Sequence, residues 1–337
     1  MTWRDQLKGD PFAWLFEADD PGPRYLTLRD LLDTPPNSPE LQVAKKKSHT
    51  DGPIATILDK MHPDGYWQKP GPGYSPKYRS NVWSLILLAQ LGASLDMDDR
   101  IVKAVNYYLE NALSPDGQIS HSSAPSGTID CLQGNMCSAL MDLGCKDEQL
   151  EKAFEWMARS VTGEGVAPQK DKDAKIRFYA HKCGPLFACG ANDKKSCAWG
   201  AAKVMLAFGK LPKEKRTPLI DRAIQQGIDF LFSVNPAQAL WPSPYASKPS
   251  GDWWKFGFPV FYITDLLQVA EALVLLGYGR DKRMADTLDL IRSKQDEHGR
   301  WSLEFDYAGK TWGNFGPKKH SNKWVTLRAL KVLKMIG

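Results

Sequence analysis

Four cysteines are the residues of this chain best suited to chemistry: Cys131, and then Cys183, Cys189 and Cys197 close together. The stretch HKCGPLFACGANDKKSC also supplies His181. Thiolates and imidazoles hold Zn²⁺ in tetrahedral sites, so four converging sulfurs would form a zinc centre, with iron as the second candidate. The Cys-x5-Cys-x7-Cys spacing plus a distant Cys is not that of a standard zinc knuckle, and buried small residues are the competing reading. Three protein ligands would leave an open position for water or substrate and imply catalysis; four would imply a clasp. Asp130, His181 and His320 stand where they could move protons beside such a metal. Cys137 and Cys145 read as packing residues.

These residues need elements to position them, and the chain repeats one loosely. NVWSLILLAQLG (81–92), CLQGNMCSALMDLG (131–144), CAWGAAKVMLAFG (197–209), FYITDLLQVAEALVLLG (261–277) and KWVTLRALKVL (323–333) are apolar on nearly every face. That pattern predicts helices buried all round. Between them, residues 98–113, 147–161, 217–233 and 281–295 carry apolar residues at i, i+3, i+4 and i+7 and charges opposite, which predicts amphipathic helices. Buried and amphipathic helices in alternation predict an all-α chain, a closed ring of helical hairpins, in one domain over residues 1–337. Residues 1–50 form an N-terminal extension and the least clear hairpin, around RYLTLRDLLD.

Short glycine turns join the two helix types: HPDGYWQ (62–68), SPDGQIS (114–120) and DEHGRWSLE (296–304). With the inner helices that follow, these turns resemble the repeats of the prenyltransferase and squalene-cyclase superfamily, over most of residues 50 to 335. The resemblance implies an α/α toroid of about six hairpins, and implies fold more firmly than activity. Protein prenyltransferases hold a catalytic zinc with Asp, Cys and His. The Asp130–Cys131 pair is similar but adjacent, where that family separates the two by one residue, and His320 falls a few residues early. Lanthionine cyclases, similar only in architecture, use two Cys and one His.

In such a ring the N-terminal ends of the inner helices surround one mouth of the central cavity, where ligands bind. The candidate substrate-binding residues there are Tyr74, Lys77, Tyr78, Trp254, Tyr262, Asp265, Trp312 and Lys323. Aromatic side chains suit an apolar ligand or a cationic intermediate. The superfamily implies that basic ones could hold a diphosphate. DMDD (96–99) matches the Asp-x-Asp-Asp acid motif of class II terpene cyclases, but its place at the start of an outer helix makes Asp98 or Asp99 an ordinary N-cap.

The net charge of +5 is dispersed, which gives no footprint for nucleic acid. No apolar stretch is long enough to span a bilayer, and the N-terminus lacks a secretory pattern, so the expected location is the cytoplasm. In that compartment clustered cysteines are metal-binding or reactive rather than disulfide-bonded. The expected function is a zinc-dependent transferase or cyclase/lyase acting on a small apolar or isoprenoid-like substrate in the central cavity. A metal-free terpene-cyclase relative, or a non-catalytic ligand-binding toroid with structural cysteines, is the alternative. Oligomeric state is left open.

Overall fold

The computed structural model describes residues 2–167, 170, 171, 173, 181–243 and 248–337. Among the described residues all extended regular structure is confined to isolated bridges, and the chain is otherwise helical. Six helices form an inner ring: α2 (Pro21–Leu26, prolonged by a π turn over Thr27–Leu31), α5 (Asn81–Gln90), α7 (Asp130–Asp142), α9 (Ala198–Lys210), α11 (Leu266–Leu275) and α13 (Lys323–Ile336). Each of α5, α7, α9, α11 and α13 packs on the next, and α13 packs on α2. Closure comes where Gly92, just after α5, lies against Leu26 and Tyr25.

The outer wall consists of α3 (Pro39–Thr50) followed by the short α4 (Pro53–Leu58), α6 (Asp99–Ala112), α8 (Glu148–Thr162), α10 (Pro218–Leu231) and α12 (Ala285–Ser293), while α1 (Phe12–Leu15) belongs to the N-terminal segment. Each buries one stripe; in α6 it is Ile101, Ala104, Val105, Tyr108, Leu109 and Ala112. Their starts are capped by side chains: Asp98, Asp147 and Thr217 accept from backbone N–H groups of α6, α8 and α10. The sixth outer position is filled by the N-terminus. Lys8 N–H donates to Gln295 Oε1 (3.0 Å), and Arg292 donates to Gln6 Oε1 (3.0 and 2.8 Å). This all-α ring of hairpins is the toroid that the repeats imply. Among the described residues no helix is long and apolar enough to cross a membrane.

The glycine turns share one set of bonds. Trp67 and Trp301, both fully buried, donate their indole N–H to the carbonyls of Ile57 and Ile291 (2.8 Å each). The backbone N–H groups of Trp67, Ile119 and Trp301 donate to side chains in the first turn of the following inner helix: Asn81, Gln133 and Thr326. An outer helix thus has its carbonyl end satisfied and is tied to the next inner helix by the same residue. Gly117 permits the close approach, since its φ is +91° and a Cβ there would meet Lys152 O at 2.1 Å.

One expectation fails in the fourth hairpin. The inner helix expected from Phe261 begins only at Leu266, where Asp265 caps it by accepting from Gln268 N–H (2.8 Å). Residues 256–264 instead thread into the axis of the ring. Gln90 on α5 exchanges two hydrogen bonds with the Val260 backbone (2.6 and 2.8 Å), Asn135 on α7 donates to Phe261 O (2.9 Å), and Arg328 on α13 donates to Gly257 O (2.7 Å). Three inner helices therefore satisfy the backbone of a buried loop, which would otherwise be costly to desolvate. This plug divides the single central cavity expected from the sequence into two.

Candidate active site at the mouth of the ring

Above the plug lies a cavity of about 380 Å³, within the range of small-molecule sites. Its walls carry a chain of rings: Trp241 to Trp253 (4.9 Å between centroids), Trp253 to Trp199 (6.2 Å) and Trp199 to Tyr262 (5.5 Å). Lys77 Nζ stands 5.0 Å from the Tyr262 ring and 5.6 Å from the Tyr74 ring, closing the circle. Cys131, Cys189 and Cys197 line the same space, with Lys182 at its edge. No Asp, Glu or His is among the described lining residues.

Two inner helices bring the thiols in. Cys131 lies in the first turn of α7, and Cys197 is the N-cap of α9. The helices approach closely because Gly134 faces the Lys203 backbone, where a Cβ would come within 2.5 Å. Cys189 arrives on a short hairpin: Cys197 N–H donates to Phe187 O (2.9 Å) and Cys189 N–H to Lys195 O (3.2 Å). The neighbouring Cys189 thiol brings Cys197 below the usual thiol range, against burial. Cys189 is raised correspondingly, by Cys197 and by burial. Burial pushes Cys131 up to about 11 and also raises the Tyr262 and Tyr74 phenols. Behind them Lys203, fully buried and bonded to the Thr264 hydroxyl, is pushed down to about 8 by desolvation.

The remaining candidates lie elsewhere. Cys183 is turned toward the outer wall, donating to Asp130 Oδ1 (2.9 Å) with Ser160 Oγ at 3.1 Å, so it does not join the other three sulfurs. Among the described residues no three His, Cys, Asp or Glu side chains are arranged to hold a metal ion, so they do not fit the expected zinc or iron centre. Asp130 is buried beside Cys183, and desolvation raises its carboxyl to about 7. It does not line the cavity. His181 is exposed, its ring laid on Gly190, where a Cβ would meet Nε2 at 2.1 Å. His320 is exposed and bonded to Lys318 O (3.0 Å).

Of the substrate-binding candidates, Tyr74, Lys77 and Tyr262 line the cavity. Tyr78 packs against Phe261 of the plug and against Tyr307. Trp254 is half-buried and donates to Ala237 O (2.9 Å), while its neighbour Trp253 faces the cavity. Trp312 donates to Ser84 Oγ (2.9 Å). Asp265 pairs with Arg328 (2.8 Å), and Lys323 pairs with Asp19 and Glu17 of the N-terminal segment. Asp98 pairs with Arg100, and Asp96 with Lys45 and Ser94. These bonds hold both carboxyls below the usual range, so the DMDD motif offers no buried acid.

Trp199, Trp241 and Lys182 were not singled out by sequence reasoning. Trp241 had a signal: its indole N–H donates to Leu231 O at the end of α10 (3.2 Å), ten positions back, as Trp67 and Trp301 do. It belongs to the repeat, but Ala239 at φ +52° stands near where the other turns have glycine.

Fold and site together define a single-ring α/α toroid with an aromatic, thiol-bearing mouth. No family model matches the chain, and no curated protein does. Among solved structures, the type II terpene cyclase MstE from Scytonema in complex with merosterolic acid A is 12% identical, covering 87% of this chain and 96% of that one, with a TM-score of 0.33. Its ligand-free form is 13% identical over 87% and 97%, at 0.32. A protein from Actinoplanes is 14% identical over 88% and 99%, at 0.30. Likeness of this degree leaves the function to the chain's own geometry.

Proposed function

We propose that this chain is an enzyme that takes a small, largely apolar, isoprenoid-like substrate in the mouth cavity. The observation that carries this reading is the run of rings from Trp241 through Trp253 and Trp199 to Tyr262, the last of these on the plug, around a space of about 380 Å³. Aromatic walls desolvate an apolar chain, and their faces accommodate cationic character as it develops. Lys77 and Lys182 at the rim suit a polar or anionic end group. The metal-free alternative is favoured over the zinc-dependent one by the division of the cysteines, with Cys183 paired to Asp130. Acid chemistry by DMDD is not part of the reading, because Asp98 is ion-paired at the end of an outer helix.

Titration with farnesol or geranylgeraniol tests the proposal through the emission of the cavity tryptophans. Saturable quenching is expected, and Trp199→Ala should weaken binding by about tenfold, the scale of one lost aromatic contact. Absence of saturable binding, or an unchanged affinity in Trp199→Ala, would remove it.

A further inference from the structure

The end of the ring opposite the mouth has a cavity of its own, of about 110 Å³, on the other side of the plug. Most of the charged groups that line it are spent on one another. Arg328 pairs with Asp265, Lys331 and Arg29 with Asp30, and Lys210 with Asp142. Glu271 is in none of these pairs, although its side chain lines the same space. Despite desolvation, Asp265 and Glu271 raise Arg328, and Asp30 and Glu271 raise Lys331, so the Glu271 carboxylate lies within electrostatic reach of both cations. Three residues earlier on the same face of α11 is Gln268, 5% exposed and also lining the cavity. Its Oε1 is buried and has no hydrogen-bond partner among the described residues. Such an acceptor is costly to bury unmade, and a donor brought by a ligand would recover that cost. Rotation about the last side-chain torsion exchanges the two ends of an amide, so the oxygen can turn to meet that donor.

The helices packed on either side of α11 carry the complementary groups. Lys210 on α9 and Lys331 on α13 are each held by a single carboxylate oxygen, which leaves N–H groups of both ammoniums for a second anion. Lys331 and Asp142, more than a third exposed, mark the opening to solvent, whereas Gln268 and the apolar Leu206 and Val260 lie deeper. We propose that this cavity is a second ligand site, which takes a small α-amino acid. Its ammonium bonds to the Glu271 carboxylate and the Gln268 oxygen, its carboxylate to Lys331 and Lys210, and its short apolar side chain rests on Leu206 and Val260. A zwitterion leaves the charge balance among these pairs unchanged, whereas an amine or an acid alone would add a charge to it. The plug separates this site from the mouth, so the occupant proposed for the mouth has no bearing on it.

Isothermal titration calorimetry of the full chain with L-alanine and L-valine tests the site, with ethylamine and propionate as probes that keep one charge each. Saturable binding of an amino acid is expected, with both single-charge probes weaker by about tenfold or more. Glu271→Gln keeps the shape of the side chain and removes its charge, and should weaken amino-acid binding by about tenfold or more. Gln268→Met removes the acceptor at similar length and should weaken it by about threefold to tenfold. Because Gln268→Met also relieves a buried unpaired oxygen, it should unfold no earlier than the unmodified chain, so its loss of binding reads the site and not the fold. No saturable binding of either amino acid below about 10 mM, equal affinity for ethylamine or propionate, or unchanged affinity in both variants would overturn the proposal.

Discussion

Above the plug the axis of the ring holds aromatic side chains, three thiols and, among the described lining residues, no carboxylate. Below it lies a smaller cavity of about 110 Å³ reached by all six inner helices, where the charged groups of Arg29, Asp30, Asp142, Lys210, Glu271, Arg328 and Lys331 stand among apolar side chains such as Ile86, Leu206, Val260 and Trp324. Of the inner helices, α7 and α9 reach both spaces, so part of the difference lies in which helix end each one meets. The mouth receives N-termini, among them that of α9, which begins at Cys197, and free N–H groups there favour negative charge. The lower cavity lies toward C-termini, where α9 places Lys210 in its last turn, paired with Asp142. A ring of parallel inner helices thus has one end suited to negative charge and one suited to a network of ion pairs.

The plug is what keeps the two apart, and its anchor gives the largest predicted effect. Arg328, its side chain 13% exposed, donates to Gly257 O and forms two bonds of 2.8 Å to Asp265. Arg328→Met strands the buried Asp265 carboxylate and should cost about 3–5 kcal/mol in urea unfolding, as does breaking a buried pair. It should also weaken binding of an apolar probe at the mouth by loosening the plug that carries Tyr262. A loss under about 1 kcal/mol would mean that the plug holds without this clamp. The next effect belongs to the lower cavity. Burial alone would raise the Asp30 carboxyl, but Lys331 and Arg29 beside it bring it down to about 2. A carboxyl lowered on folding contributes stability that is full above its unfolded pKa near 3.9 and lost as pH falls toward 2. That contribution is about 2–3 kcal/mol, and Asp30→Asn should flatten the stability profile between about pH 4 and 2. An equally steep profile in that variant would assign the acid sensitivity elsewhere.

How far the sequence foretold this comparison differs between the ring and its contents. The hairpins were legible because inner and outer helices have different burial and therefore different periodicity. The expected segments 131–144 and 98–113 became Asp130–Asp142 and Asp99–Ala112. The plug was not, because a loop buried on all sides is as apolar as a buried helix, and FGFPVFYITD reads as either. Only Pro259 and the capping Asp265 marked the boundary. At the site, Cys131 and Cys197 could be placed because they start inner helices, whereas Cys183 lies in a loop whose side-chain direction no periodicity reveals. Lys323, Asp265, Trp312 and His320 are residues suited to a ligand, but the fold gives each another contact.

Trp241 joins both roles, structural and cavity-lining, so a substitution that retains its ring separates them. Trp241→Phe keeps an aromatic wall but leaves Leu231 O without the indole donor, a loss of about 1–3 kcal/mol. Thermal unfolding should show that loss while affinity for an apolar probe changes less than in Trp199→Ala. The reverse order would make Trp241 a ligand contact first and a repeat residue second.

The smallest effect belongs to the DMDD motif, and its size is informative. Asp98 accepts from Arg100 N–H (2.9 Å) as the cap of α6, and its carboxylate pairs with the Arg100 guanidinium (2.7 Å). Asn caps a helix about as well as Asp, so Asp98→Asn should lose only the partly exposed ion pair, about 0.2–1 kcal/mol. Because the motif lines neither cavity, binding of an apolar probe should match the unmodified chain. A variant that unfolds normally yet loses turnover of an isoprenoid would instead place an acid at the ring's lower rim. The chemistry would then have to move from the thiol-bearing mouth to the end filled with ion pairs.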